Sequence, residues 1–262
     1  MAPITAKEFP PKMVQVDFSR IMESSRPQLT VVCLEGCHGS GKTVICNEMR
    51  ARGYPVLDEA FLDMPSYSLD PQSLLMETYW VCNWFQSILR LENRLCLASA
   101  RKNHTVFVDR SPYSAVFYAR KGHLLQPLIQ EQMQEIQNLR RIQFYTVHIT
   151  VNPELLWRRI CARLEREPER MRLHEADRAW MHQILDIYAA FSWDFKIQND
   201  TSNLQTIVLE ILHRLGIHDT NVDIGCDEKT TLITSNLWSM DSDADTHESE
   251  FDIDEDLSSV HA

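Results

Sequence analysis

The sequence predicts an α/β fold, a parallel sheet with helices on both faces and a ligand site at the carboxyl ends of its strands. Three observations lead there. Short apolar runs at 29–34, 54–57, 105–108, 144–151 and, more weakly, 195–198 alternate with segments of helical length and periodicity. Three of the seven glycines, Gly36, Gly39 and Gly41, fall within six residues directly after the first run. Polar residues able to carry chemistry stand just past the ends of several runs.

The first run enters Gly36-Cys37-His38-Gly39-Ser40-Gly41-Lys42-Thr43, a complete P-loop, G-x-x-x-x-G-K-[ST]. Glycines let successive backbone N–H groups converge on phosphate oxygens, and a helix over 42–52 would point its positive end at them. Lys42 is placed to neutralise the β and γ phosphates and the Thr43 hydroxyl to ligate Mg²⁺. The loop therefore predicts binding of a nucleoside triphosphate.

After the second strand come Asp58 and Glu59, adjacent carboxylates at the mouth of the expected site. One could act as general base on an acceptor hydroxyl; both could equally be turn or cap residues. A long helix over 74–100 follows, with Val81, Trp84, Phe85, Ile88, Leu91 and Leu95 on its apolar side. Tyr79, Asn83, Gln86, Arg90 and Asn93 form one polar stripe. Facing the cleft, Gln86 would meet the edge of a nucleobase and Trp84 or Phe85 would stack on it; facing water, the stripe is a solvated surface.

The third strand ends in Asp109-Arg110-Ser111-Pro112-Tyr113-Ser114. Asp109 beside a P-loop suits the Mg²⁺ water shell and Arg110 the charge on a moving phosphoryl group, with a surface ion pair between them as the alternative. Past the fourth strand, Asn152-Pro153 supplies a cap and an N1 proline for a helix over 154–167. Arg159, Arg163, Arg166 and Arg170 would lie on one face of it, up to an interruption at Pro168. They could clamp phosphates, or be neutralised by the interleaved Glu165, Glu167 and Glu169. Asp200-Thr201-Ser202 predicts the cap of a last helix running to about Leu215.

The 262 residues suit one large domain. The net charge of −11 argues against a nucleic-acid polymer as partner. Nine of the acids lie between Asp241 and Asp256, and subtracting those nine leaves −2 for the rest. Seven cysteines without C-x-x-C or zinc spacing read as free thiols of a reducing compartment. No apolar run of membrane length and no signal or transit composition stands in the sequence, so a soluble, cytoplasmic protein with no membrane partner is expected.

Taken in order, the P-loop, Glu59, Trp84-Phe85-Gln86-Ser87, Asp109-Arg110-Ser111 with Tyr113-Ser114, and Arg159 to Arg170 resemble the deoxynucleoside kinase family within the group that includes thymidylate kinases. The resemblance spans about 29–215. It implies a P-loop kinase fold, a five-stranded parallel sheet with helices on both faces and an arginine-rich lid, with ATP and Mg²⁺ as cofactors. Glu59 would accept the proton of a deoxynucleoside 5′-hydroxyl, Arg110, Arg159 and Arg163 would stabilise phosphates, and Thr43 and Asp109 would attend the metal. Tyr79, Gln86, Arg90 and Arg110 would bind the substrate, and the adenine-contacting loop would fall at 200–202. In a thymidylate kinase Arg90 would hold the acceptor's phosphate, and a third reading makes the chain a non-catalytic binding module. The resemblance further implies a role in nucleotide salvage and a homodimer. The expected organisation is an N-terminal extension (1–27), the kinase domain (28–217), a C-terminal extension (218–238) and a disordered acidic tail (239–262), whose Ser242 and Ser249 precede acids in a pattern suited to an acid-directed kinase.

Overall fold

The computed structural model describes residues 29–59, 64, 67–98, 104–139, 142–200 and 203–217. The extensions expected at 1–27, 218–238 and 239–262 lie outside the described residues. Strands β1 (Leu29–Glu35), β2 (Val56–Leu57), β3 (His104–Asp109), β4 (Ile142–Thr150) and β5 (Phe195–Gln198) form one sheet in the order β2-β3-β1-β4-β5. All neighbouring pairs are parallel. The helices are α1 (Lys42–Ala51), α2 (Leu74–Ala98), α3 (Ser114–Tyr118), α4 (Gln126–Leu139), α5 (Pro153–Leu164), α6 (Arg178–Ala190) and α7 (Leu204–Arg214).

The apolar runs are strands because they are covered on both sides. Val31 and Cys33 of β1 pack with Trp80, Trp84 and Ile88 of α2 and Ile129 of α4, whereas Val32 and Leu34 point the other way, into Ile45 and Met49 of α1 and Val208 and Ile211 of α7. Alternation then sorts one apolar residue from another, and the strand reads as a continuous hydrophobic run. Each such side chain contributes about 1.5–3 kcal/mol on burial. A third cluster joins Cys37 of the P-loop to Leu156 and Ile160 of α5 and Met181, Ile184 and Tyr188 of α6, which fixes both helices against the loop.

Asn152 caps α5 as read, its side chain accepting from the Glu154 N–H at 3.0 Å with Pro153 in the first turn. The helix stops at Leu164, and Pro168 opens a short 3₁₀ segment, Pro168–Leu173, as its missing N–H requires. The cap of α7 is a correction. The helix begins at Leu204, so Asn203 stands at the capping position and accepts from the Thr206 N–H at 3.3 Å. Asp200 is used elsewhere, accepting from the Asn152 N–H and from Gln198 Nε2, both at 2.6 Å. Thr201 and Ser202 lie outside the described residues.

A fully buried carboxylate, Glu35, ties three parts of the sheet end together. It accepts from the Ser111 N–H and Oγ at 2.7 Å, from Ser114 Oγ at 3.0 Å and from the Tyr188 hydroxyl at 2.8 Å. β1, the turn after β3 and α6 are thereby held in one geometry. Glu35→Ala leaves those donors without an acceptor and is expected to cost about 3–5 kcal/mol, read as a fall in Tm of about 6–20 °C. A shift below about 3 °C in thermal denaturation would show that water replaces the carboxylate at little cost.

Among the described residues, Cys33, Cys37, Cys46, Cys82 and Cys161 are free thiols, and no helix is long and apolar enough to cross a membrane.

Candidate functional site

The loop between β1 and α1 takes the backbone form its glycines permit. Gly41 has φ +94°, and a Cβ there would sit 2.6 Å from Asn199 Nδ2; on Gly36, φ +145°, it would sit 2.5 Å from the Ile149 carbonyl oxygen. Gly41 precedes α1, whose first turn has neither a side-chain cap nor an acidic residue. Its N–H groups are left for an anion to satisfy. Lys42 is buried and donates to the carbonyl oxygens of Gly36 at 2.7 Å and Cys37 at 3.1 Å. Asn199, just past β5, donates to the Ser40 carbonyl oxygen at 2.8 Å and supports the loop from behind. Nothing in the sequence distinguishes this asparagine from any other loop residue.

Asp109 and Arg110 do not pair with each other. Thr43 Oγ1 donates to Asp109 Oδ2 at 2.6 Å, while the buried Asp109 Oδ1 has no hydrogen-bond partner. Burial raises the Asp109 carboxyl above its ordinary range, against the pull of Lys42. An orphaned carboxylate oxygen beside a hydroxyl is a donor set that fits Mg²⁺, which keeps waters and takes its remaining ligands from phosphates.

Arg110 sits in the left-handed region at φ +81°, an uncommon place for a residue with a side chain. The turn is fixed on both sides: the Arg110 N–H donates to Leu34 O at 3.1 Å and its carbonyl accepts from Trp84 Nε1 at 3.2 Å. The guanidinium is directed onto Glu59, with Nε 2.5 Å from Oε1. Burial by itself would raise the Glu59 carboxyl; Arg110 outweighs it and holds the group below the usual carboxylate range. Asp58 faces away and pairs with Arg50 at 2.7 Å on the exposed surface. Of the two adjacent carboxylates, Glu59 alone belongs to the site.

Two cavities meet here. The larger, about 460 Å³, is lined by the P-loop residues His38, Gly39, Gly41, Lys42 and Thr43, with Arg159, Arg163 and Arg166 opposite. The smaller, about 50 Å³, is walled by Trp80, Trp180 and Tyr118 and carries Gln72, Glu77 and Glu175. His38, Glu59 and Arg110 line both. Burial pushes the Glu77 carboxyl well up, Arg110 opposing and Glu59 reinforcing the shift, so this wall of the cavity is a neutral acid.

The arginines divide between the cleft and ion pairs, and because α5 ends at Leu164, Arg166 and Arg170 stand beyond the helix expected to carry them. Arg159, Arg163 and Arg166 face the P-loop cleft, while Glu167 accepts from Arg163 Nε at 3.0 Å and also pairs with Arg170. Arg170 reaches Glu175 at 3.2 Å and lines the smaller cavity. The polar stripe of α2 behaves differently from the cleft-facing expectation. Gln86 is exposed, Tyr79 and Arg90 are half-buried, and none of the three lines either cavity. Trp84 and Phe85 are core residues. The helix meets the site with its first turns and its apolar face, which is why Glu77 and Trp80 occupy the cavity instead. An acid in register with Trp80, Trp84 and Ile88 was the available signal.

The solved structures similar to this chain include a deoxyadenosine kinase from M. mycoides with products dCMP and a flexible dCDP bound, at 16% identity and TM-score 0.43, covering 71% of this chain and 98% of that one. The same kinase with dATP gives 16% identity and TM-score 0.39 over 71% and 98% of the two chains. The YorR protein of Bacillus subtilis, in complex with phosphorylated GDP, gives 15% identity and TM-score 0.39 over 71% and 95%. No curated protein sequence matches the chain. A family described as an AAA domain matches residues 31–191, from within β1 to the end of α6, and the chain, with its P-loop and five-stranded parallel sheet, belongs to that family.

Proposed function

We propose that this chain transfers the γ-phosphoryl group of ATP to the 5′-hydroxyl of a deoxynucleoside, with Mg²⁺. The observation that carries the reading is that Glu59 and Arg110 line both the P-loop cleft and the aromatic cavity beside it. A donor in one and an acceptor in the other would meet at an ionised carboxylate and a guanidinium. The order of motifs along the chain supports the same choice.

In this account the acceptor oxygen bonds to the γ-phosphorus as the bond to the β-phosphate oxygen breaks, and ADP leaves. The hydroxyl proton passes to Glu59 and from there to water. Lys42, Arg110, Arg159 and Arg163 counter the charge on the phosphoryl oxygens, and positioning supplies most of the rate. Thr43 and Asp109 would hold Mg²⁺, which would supply positive charge to the bound phosphates. Trp80 and Trp180 offer flat walls to a base, with Gln72 and the neutral Glu77 as hydrogen-bonding groups. Closure of the arginine-bearing segment over the cleft, a homodimer and a place in cytoplasmic nucleotide salvage belong to the same reading.

The thymidylate kinase alternative relied on Arg90 for the acceptor's phosphate, and Arg90 lines neither cavity. The test is phosphoryl transfer from γ-labelled ATP with Mg²⁺ to the four deoxynucleosides and to thymidine monophosphate, with Lys42→Ala as the control. Labelled nucleoside monophosphate from at least one nucleoside, absent with Lys42→Ala, is the expected result. Transfer to thymidine monophosphate alone would replace this reading by the nucleotide kinase one, and ATP binding without transfer would favour a non-catalytic module.

A further inference from the structure

His38 is one of the loop's filler residues, but its side chain does not fill space in the way a filler would. It is buried, lines both cavities and stacks on Trp180 with ring centroids 5.2 Å apart. Its Nδ1 lies 3.5 Å from Cys37 Sγ. Burial pushes that thiol up to about 12, so the sulfur keeps its proton and is able to donate it to Nδ1. In that tautomer the other nitrogen, Nε2, carries the ring's N–H. Nε2 is buried and has no hydrogen-bond partner in the protein, a costly arrangement for a polar group unless a ligand completes it. Burial, with Arg110, Lys42, Arg163 and Arg170 around the ring, brings the imidazole down to about 3 and keeps it uncharged.

We infer that His38 has two separate parts in the site: its backbone belongs to the phosphate loop, while its Nε2–H donates a hydrogen bond to a sugar oxygen of the acceptor and so holds the reacting hydroxyl against Glu59. This rests on the phosphoryl-transfer reading above. A neutral donor suits the place, because it grips an uncharged hydroxyl or ether oxygen without competing with Arg110 for Glu59. His38 is thus a specificity-determining residue for the acceptor rather than for ATP.

The experiment compares the full-length chain with His38→Phe, which keeps a ring against Trp180 and loses the donor, and with His38→Gln, whose amide restores an N–H near the Nε2 position. The phenylalanine variant is expected to lose roughly 10- to 100-fold in kcat/KM for the acceptor while its Kd for ATP changes by less than about twofold, and the glutamine variant to recover most of the loss. Imidazole ¹⁵N NMR of the wild-type chain should show a neutral, Nε2-protonated ring from about pH 5 to pH 8, with its signal moving when the acceptor is added. Equal activity of His38→Phe and wild type, a loss that falls on ATP binding, or an Nδ1-protonated ring would each overturn the assignment. A wild-type chain that phosphorylates no acceptor would instead overturn the transfer reading, and this role with it.

Discussion

Glu59→Gln is expected to lower kcat by about 10²–10⁴-fold while leaving ATP affinity within a few-fold of wild type. Glutamine keeps the size of the side chain and can still accept from Arg110, which pairs with Glu59 at 2.5 Å. It cannot take a proton from the acceptor. The pH dependence follows from the sign of the Glu59 shift. Against the effect of burial, Arg110 holds the carboxyl below its ordinary range, and the ionised form is the active one. Glu59 should therefore add no inflection from neutral pH down through the usual carboxylate range and titrate only as pH drops through the depressed value, so an acid limb at higher pH belongs to Asp109, whose carboxyl burial raises. His38, brought down to about 3, adds no inflection near neutrality. A group with a depressed folded pKa also lends stability above its unfolded pKa that is lost on acidification, and Glu59→Gln removes that part of the acid sensitivity. A variant within about threefold of wild type in a steady-state assay would place the base elsewhere.

Replacing Arg110 is expected to have the larger effect, a loss of about 10³–10⁵ in kcat/KM, because in the proposed reaction the residue would stabilise the phosphoryl group and it also holds the Glu59 carboxyl down. Its φ of +81° allows the catalytic and conformational contributions to be separated. Arg110→Gly and Arg110→Ala lose the same guanidinium, but glycine adopts that backbone freely, so the glycine variant should be the more stable of the two by about 1 kcal/mol in denaturant unfolding. Both should be equally inactive. Without the Arg110 cation, only the pull of Lys42 and Arg170 opposes the burial that raises the Glu59 carboxyl, and the acid limb of any residual activity should move to higher pH. Recovery of activity in Arg110→Gly alone would mean that the turn, and not the charge, is what the site requires.

Most of the sheet was legible in the sequence because its strands are covered on both faces. A run such as Val31 to Leu34 is apolar throughout whichever way each side chain turns. The P-loop was legible because its backbone must lie close to phosphates, and few residue types tolerate that at Gly36 and Gly41. What depends on direction was not. Asp58 and Glu59 are chemically equivalent in the sequence, and only the exit angle of β2 sends one outward to Arg50 and the other to Arg110. In α2 the spacing identified the buried face correctly, yet a helix of 25 residues is about 37 Å long and meets the strand ends with its first turns. Gln86 lies nine residues, about 14 Å of helix, beyond Glu77, and the pattern left open whether its stripe met the cleft or water; Gln86 is exposed and lines neither cavity. Glu35 and Asn199 are single residues whose partners are remote in sequence, Tyr188 for the first and Ser40 for the second. No local pattern encodes such pairs.

In the proposed reaction the phosphoryl group passes directly from a nucleotide in the P-loop cleft to an acceptor in the adjoining cavity, across Glu59 and Arg110, which line both. The stereochemical course at the transferred phosphorus distinguishes this from a relayed transfer, using ATP whose γ-position is made chiral with sulfur and oxygen isotopes. A single in-line displacement predicts inversion of configuration in the product. Retention would mean two successive displacements, with the phosphoryl group held on a side chain in between, and would contradict the account.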